Sequence, residues 1–411
     1  MSIYNLIRTK KVVIGIIGLG YVGLPNAILI DKKNFKVIGF DINKEKIKKL
    51  NNNISYVEDI SVQDLKSFNK KSIFTNDLNQ LENCNILIIS VPTPLLKNLK
   101  PDFSYLESVV KSIKKIKPQE KMIILESTSY PGTTNDFFSD KIYAKSHIIF
   151  SPERINPGDK YKNENITKII GSDKKESLQL AKIFYKKIYK KIYICQNTKT
   201  AEMIKLFENT FRAVNIAYVD EIKEICNKLN INVWEVIDGA KTKPFGFMPF
   251  YPSIGVGGHC IPVDPKYLLW KINKSNFKSP LIETLMKRLD FIKYKSFLKI
   301  KKIIKKKDRT LIIGVSYKKN ISDTRESPAI YIIKKLTENG FKVDYYDPYV
   351  ASINYKKIKS IIFSKKNLKK YDNILIGMNH DKINFKFVLK YSKKIIDPFN
   401  LFKKNKKIFC I

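Results

Sequence analysis

A cysteine attacks as its thiolate, and an ordinary thiol, with a pKa of about 8.5, is only a few per cent ionised at neutral pH. Cys260 stands in a setting that could raise that fraction: Gly255-Val256-Gly257-Gly258-His259-Cys260-Ile261-Pro262-Val263-Asp264-Pro265. The glycines would let backbone come close to a ligand. Asp264-Pro265 reads as an N-cap followed by proline at the first helical position, which would put Cys260 just before a helix N-terminus. The helix dipole and a cation such as Lys205 would then favour the thiolate. His259 suggests a Cys-His pair, but adjacent side chains rarely face each other. Cys84, Cys195, Cys226 and Cys410 are scattered singly, with no CxxC pair and three histidines in the chain. They read as small hydrophobes, and neither a disulfide framework nor a metal site is expected.

A second group lies on one predicted helix. At 100° per residue Glu202, Lys205, Asn209 and Arg212 fall within an arc of about 80°, while Met203, Phe207 and Phe211 cover another side. Such a stripe is usually a solvated face. Two cations and an amide could equally bind an oxyanion. A third group is Gly18-Leu19-Gly20-Tyr21-Val22-Gly23, between a predicted strand and helix, with Asp41 ending the next strand. Here the first glycine permits the turn, the second lets backbone approach a pyrophosphate, and the third lets helix pack on strand. Asp41 would accept from the adenosine ribose, which favours NAD over NADP. Pro92-Thr93-Pro94 and Ser127-Thr128 follow two further strands, at the sheet edge where open α/β folds bind ligands. Pro92, Thr93 and Thr128 could touch the cofactor; read alone, each also suits an ordinary loop.

The elements that must hold these groups follow from the apolar pattern. Short apolar runs at Val12–Gly18, Lys36–Phe40, Asn85–Val91, Lys121–Glu126 and His147–Phe150 alternate with helical stretches, the rhythm of a parallel sheet covered on both faces. Long helical periodicity begins near Thr200, with Ala201–Leu229 the clearest helix. Strands return at Thr310–Val315, Lys342–Tyr346, Asn373–Ile376 and Lys394–Ile396. The expected architecture is α/β: two Rossmann-like doubly wound parallel-sheet domains, 1–200 and 308–411, joined by a central helical region, 201–307. The last domain repeats the order of the first, with a strand ending in Asp347, but lacks the glycine fingerprint.

Composition narrows the setting. The longest apolar run, Val12–Leu24, is broken by glycines and falls short of the roughly 18 residues that span a bilayer. The N-terminus has no apolar signal region, so a cytoplasmic protein with no membrane partner is expected. The net charge of +39 could suggest nucleic acid, but only six of the 77 basic residues are arginine and the lysines are evenly scattered. Nucleic-acid binding predicts clustering with interleaved aromatics. The field would instead help draw in a small anion.

Several motifs in order resemble the UDP-glucose/GDP-mannose dehydrogenase family: GLGYVG at Gly18, Ser127-Thr128 before Tyr130-Pro131-Gly132, Ser151-Pro152-Glu153-Arg154, the Lys205 to Asn209 helix, Gly257-Gly258-His259-Cys260, and Asp323-Thr324-Arg325-Glu326-Ser327-Pro328. The resemblance covers nearly the whole chain. It implies an N-terminal NAD domain, a dimerising central helix and a C-terminal domain that holds UDP. Within the family, Asn209–Asn215 and GGHC look like the branch acting on N-acetylated sugars. The loop Lys243–Pro252, with Phe250 and Tyr251, looks most like enzymes of UDP-N-acetylglucosamine; Ser151–Gly158 resembles relatives that include UDP-N-acetylgalactosamine enzymes. Ser253-Ile254 stands where such relatives carry Gly-Pro, which would reshape the sugar pocket. The segment Glu283–Tyr294 lacks their small residues, which bears on helix packing near a dimer interface.

The resemblance also implies a mechanism: four-electron oxidation of a C6 alcohol to an acid through a thioester on Cys260. A water held by Asp264, with Lys205 nearby, would take the alcohol proton. Lys205 and Asn209 would stabilise oxyanions, and Glu153 or the Asp264-bound water would assist hydrolysis. Arg154, Ile155, Arg212, Phe250, Tyr251, Gly255 and Gly257 would surround the sugar; Tyr317 and Lys318 would reach the substrate, Lys318 pairing with its phosphates; Arg325 would lie near the cofactor. The expected partners are a UDP-N-acetylhexosamine and further copies of the chain, as a homodimer or higher homo-oligomer. A two-electron β-hydroxyacid dehydrogenase of similar layout would need neither Cys260 nor the third domain.

Overall fold

The computed structural model describes residues 2–57, 59–116, 118, 120–154, 163–403 and 405–411. It divides into two compact units, residues 1–208 with 266–277, and residues 209–265 with 278–411.

In the first unit eight strands form one sheet: β1 Val13–Ile17, β2 Lys36–Phe40, β3 Ile73–Thr75, β4 Ile86–Ile89, β5 Met122–Leu125, β6 His147–Phe150, β7 Lys168–Gly171 and β8 Ile192–Cys195, in the order β3-β2-β1-β4-β5-β6-β7-β8. The strands are apolar on both faces because helices cover both. Ile14, Ile16, Val37, Ile86 and Ile88 enter one buried cluster, whereas Ile17, Ile38, Leu87 and Ile89 enter the other. This is the period-2 alternation of a strand with no solvent side. All pairings are parallel except β6 with β7, which meet antiparallel at Phe150 and Gly171. The sheet is therefore not wholly parallel as the sequence suggested, and β3, β7 and β8 add to the five strands expected for this domain.

The long helix Thr198–Lys228 starts where the Asn197 side chain accepts the Thr200 amide at 2.8 Å and stops before Asn230, whose left-handed φ of 56° turns the chain so that Ile231 N reaches Cys226 O, a usual helix ending. The unit boundary falls within this helix, between Glu208 and Asn209.

The second unit has a parallel sheet of β9 Arg309–Ile313, β10 Lys342–Tyr346, β11 Asn373–Ile376, β12 Ile395–Asp397 and β13 Ile408–Cys410, ordered β10-β9-β11-β12-β13. Ile312, Leu375 and Ile396 pack on one face, and Leu311, Ile313, Ile374, Ile376 and Ile395 on the other. The helix Pro328–Glu338 opens with Ser327 accepting the Ile330 amide and proline at its first turn. Among the described residues no helix is long and apolar enough to cross a membrane.

Candidate active site

In the first unit the chain turns at the carboxyl end of β1 on Gly18, with φ +94°; a Cβ there would lie 2.7 Å from the Ser90 carbonyl oxygen. A Cβ on Gly23 would meet Gly18 O at 1.8 Å, so the helix Gly23–Lys32 can approach the turn only without a side chain. A Cβ on Gly20 would meet nothing within 4 Å. That open side is where a pyrophosphate can approach the backbone at the helix N-terminus. Asp41, at the end of β2, accepts from Leu19 N at 3.0 Å and Asn43 N at 2.9 Å, which fixes the carboxylate beside the glycine turn. Tyr21 and Val22 lie between the second and third glycines. These residues fit a dinucleotide. After β4, Pro92 is exposed and Thr93 buried, its carbonyl accepting from Tyr267 Oη at 2.9 Å. Ser127 Oγ donates to Val91 O at 2.8 Å, tying the β4 and β5 loops together next to half-buried Thr128.

At the end of β6, Glu153 does two things. Its backbone carbonyl accepts from Lys205 Nζ on the long helix. Its carboxylate accepts from Lys168 Nζ at 2.8 Å, Asn26 Nδ2 at 3.2 Å and Arg154 N at 2.7 Å. The same Lys168 amine lies 2.7 Å from Glu126, which also accepts from Asn26 at 2.7 Å and from Ser90 and Tyr185 hydroxyls at 3.2 Å each. Burial pushes the Glu126 carboxyl up. Burial pushes Glu153 up too, but the Lys168 ammonium and the hydrogen bonds outweigh it and hold that carboxyl below its ordinary value. Arg154 turns its guanidinium to both oxygens of Glu208 and to Thr167 O at 3.0 Å. Ile155 lies outside the described residues.

Glu202, grouped above in one stripe with Lys205, is instead fully buried and accepts from the Gly132 and Thr134 amides and the Thr134 hydroxyl. It ties down the start of the helix Thr133–Phe138. Burial pushes its pKa up to about 7.

In the second unit Asn209 Nδ2 donates to Asp264 Oδ2, with both residues buried. The helix spans Cys260–Ile272 and has Pro265 inside it. Asp264 is thus not its N-cap: the carboxylate is engaged by Asn209, and the helix begins one turn earlier, on the exposed Cys260. The glycine loop before it packs on the segment after β9. A Cβ on Gly257 would lie 2.7 Å from Tyr317 Cβ, and one on Gly258, φ +80°, 2.6 Å from the Tyr317 ring. Gly258 N donates to Arg325 O at 2.9 Å. The Arg325 guanidinium is gripped by both Asp323 oxygens at 2.6–3.1 Å. Two motifs far apart in sequence are thus one packed unit. Gly255, φ +144°, sits against Lys293 and Pro328. Arg212 is exposed; Phe250 packs edge-on to Phe211 at 6.5 Å, and Tyr251 stacks on Trp234 at 5.6 Å.

Comparison with known proteins places this architecture. Residues 12–192 match the NAD binding domain of the UDP-glucose/GDP-mannose dehydrogenase family, 199–288 its central domain and 311–404 its UDP binding domain. The chain belongs to that family. It is 39% identical over 354 residues to a UDP-N-acetyl-D-mannosamine dehydrogenase of Methanocaldococcus jannaschii, covering 83% of this chain and 80% of that one. It is 34% identical over 359 residues to a UDP-N-acetyl-D-glucosamine 6-dehydrogenase of Pseudomonas aeruginosa, covering 84% of each. A solved UDP-D-ManNAc dehydrogenase from Pyrococcus horikoshii superposes with a TM-score of 0.85 at 31% identity, over 96% of both chains. As a member, this protein is an NAD-dependent nucleotide-sugar dehydrogenase.

For this dehydrogenase, sequence reasoning nominated Glu153 but missed its partners Lys168, Glu126 and Asn26. A signal was present. Lys168 opens an otherwise apolar run, Lys168-Ile169-Ile170-Gly171, and a lysine buried in a strand needs anionic neighbours.

Proposed function

We propose that the chain is a UDP-N-acetylhexosamine 6-dehydrogenase that carries its substrate as a thioester on Cys260. The observation that supports this best is an exposed thiol on the first residue of a helix, behind a glycine loop packed on Tyr317 and Arg325. The work divides among an NAD-binding domain, 1–200, a central region with the cysteine loop, 201–307, and a UDP-sugar domain, 308–411. Bound NAD, against Gly18, Gly20, Gly23, Asp41, Pro92, Thr93, Thr128 and Arg325, supplies a hydride acceptor for each of the two oxidations.

The protein's own groups do the rest. A water on Asp264, with Lys205, removes the alcohol proton. Cys260 Sγ bonds to the resulting aldehyde carbon, giving a thiohemiacetal whose oxidation leaves a thioester. Water then adds to the acyl carbon and loses a proton to Glu153 or the Asp264-held water; the C–S bond breaks and thiolate leaves. Lys205 and Asn209, one turn apart on a helix, hold the oxyanions, a role commonly worth about 10²–10³ in rate per donor. Lys318 pairs with the UDP phosphates beside Tyr317. Arg154, Ile155, Arg212, Phe250, Tyr251, Gly255 and Gly257 shape the sugar side.

The loop Lys243–Pro252 favours N-acetylglucosamine as the sugar. The 39%-identical relative named for N-acetylmannosamine favours that epimer as a second reading. Absorbance at 340 nm with UDP-N-acetylglucosamine, -galactosamine, -mannosamine and UDP-glucose decides: two NADH per sugar with one N-acetylated substrate is expected. Full four-electron turnover by Cys260→Ser would refute the thioester. We also propose a homodimer through the long helix, where Phe211, Tyr218, Ile225 and Leu229 form an exposed apolar stripe, and a cytosolic role in surface-polysaccharide precursor synthesis.

A further inference from the structure

We infer that Lys168 is a positioning residue for catalysis: it keeps Glu153 ionised as the base for thioester hydrolysis by leaving the proton of the buried carboxylate pair on Glu126. This rests on the reading of Glu153 given above. Lys168, Glu126 and Glu153 are all at least nine-tenths buried, and one ammonium lies 2.7 and 2.8 Å from the two carboxylates. Asn26 bridges the same two groups, at 2.7 and 3.2 Å.

With both acids ionised the cluster would carry a net negative charge away from water, which is costly; one proton makes it neutral. Two carboxylates sharing one site are driven apart in proton affinity. Glu153 is the one left ionised, because besides the ammonium it accepts a main-chain amide, Arg154 N, at 2.7 Å, a donor fixed in place. Glu126 is surrounded by hydroxyls, from Ser90 and Tyr185, which serve a neutral carboxylic acid as well as a charged one. Purely structural clusters of this kind occur inside sheets. This one differs in that the carbonyl of the same Glu153 holds Lys205, so the residue is anchored from both ends at the edge of the sheet.

In the hydrolytic step, water forms the C–O bond and gives its proton to Glu153, and the C–S bond breaks to release the Cys260 thiolate. Without Lys168, Glu153 would hold a proton at neutral pH and could not accept another. General-base catalysis is worth about 10²–10⁴ in rate. In the full-length Lys168→Met enzyme with NAD and the turned-over UDP-N-acetylhexosamine, we expect a burst of two NADH per subunit and then steady turnover about 10²-fold slower at pH 7, with KM little changed. Acid-quenched enzyme should carry the acyl mass on Cys260, and the rate should recover as pH rises. A uniform loss with no burst, no acyl adduct and an unmoved acidic limb overturns the inference.

Glu126→Gln tests it independently of whether Lys168→Met folds. Because Glu126 is the protonated partner, the amide should leave the acidic limb of kcat at or below its wild-type pH; a limb moved upward overturns the inference. Glu153→Gln separates the two levels. If it hydrolyses the thioester at the wild-type rate, the base reading fails, whatever Lys168 does.

Discussion

Gly258→Ala probes the packing that sets the cysteine loop. Two costs apply. The residue has φ +80°, where an L side chain costs about 1–2 kcal/mol. The new Cβ would also sit 2.6–2.9 Å from three atoms of the Tyr317 ring, and overpacking of this kind costs about 1–3 kcal/mol. Gly340 isolates the first cost: its φ is +81°, and a Cβ there meets nothing within 4 Å. Gly258→Ala should therefore lose about 1–3 kcal/mol more than Gly340→Ala, which in a unit of this size is about 2–4 °C of Tm per kcal/mol. Because Cys260 is two residues on, kcat should fall about 10²-fold, the usual effect of a displacement of about 1 Å. Urea and thermal melts of the two variants, each with and without Tyr317→Ala, form a double-mutant cycle. The excess should vanish in the Tyr317→Ala background. If Gly258→Ala costs no more than Gly340→Ala, or its excess survives loss of the ring, the steric argument is wrong.

Glu202 carries a folded-state pKa of about 7 against an ordinary 4.5, so the folded protein binds the extra proton in that window. Its contribution to stability is full below about pH 4.5 and is lost as pH rises to 7. Wild type minus Glu202→Gln should thus fall across that range, by up to about 1.4 kcal/mol per unit; a difference constant with pH refutes this. Burial pushes Lys223 down to about 8. Between about pH 8 and 10.5 the unfolded chain binds more protons, so wild type should gain stability relative to Lys223→Met; equal slopes in urea melts would contradict it. Lys318→Met should raise KM for the nucleotide sugar at least about tenfold with kcat nearly unchanged, as loss of uniform binding does, and an equal loss in kcat would assign Lys318 to the reacting end. Tyr218→Asp should shift the mass measured by light scattering from dimer to monomer; an unchanged mass would move the interface off this helix face.

Burial alone does not decide which strands the sequence reveals: the half-exposed Lys342–Tyr346 is legible, whereas the fully buried Lys168–Gly171 is not. Ile86–Ile89 and Met122–Leu125 are uninterrupted apolar runs closed off by Asn85 and Ser90 and by Lys121 and Glu126, and bounded runs this short favour strand over helix. β3 has three residues, too few to show a period, and β8 turns Tyr193 and Ile194 to solvent, so its apolar residues do not report burial. At the site, Gly18, Gly23 and Asp41 were legible because backbone geometry admits few alternatives there. Glu202 was not. Its place on the helix arc is correct, but helical projection reports direction and not what stands in that direction, and there it meets the amides of Gly132 and Thr134. Asp264 misled for a related reason. Its local pattern fits a cap, but a carboxylate facing Asn209 has a stronger claim than the helix end.

The last domain shows what the missing fingerprint means physically. Gly314 closes β9 with φ +84°, as Gly18 closes β1 with φ +94°. Gly314 N reaches Tyr346 O at 2.8 Å, as Gly18 N reaches Phe40 O. Asp347 accepts from Val315 N and Tyr349 N, as Asp41 does from Leu19 N and Asn43 N. The turn is therefore repeated, and only the first glycine is needed to make it. What differs is everything that would welcome a dinucleotide. Ser316 and Lys319 stand where Gly20 and Gly23 do, and no helix starts at the turn; the next begins at Pro328. The Asp347 carboxylate is covered by the fully buried His380, whose Nε2 is 3.1 Å from it and whose Nδ1 accepts Asn320 N. In place of a helix N-terminus the chain inserts 315–327, which carries Tyr317, Lys318 and Arg325. Phosphate recognition would then pass from backbone amides to a lysine side chain, and the same insertion packs on the loop that leads to Cys260.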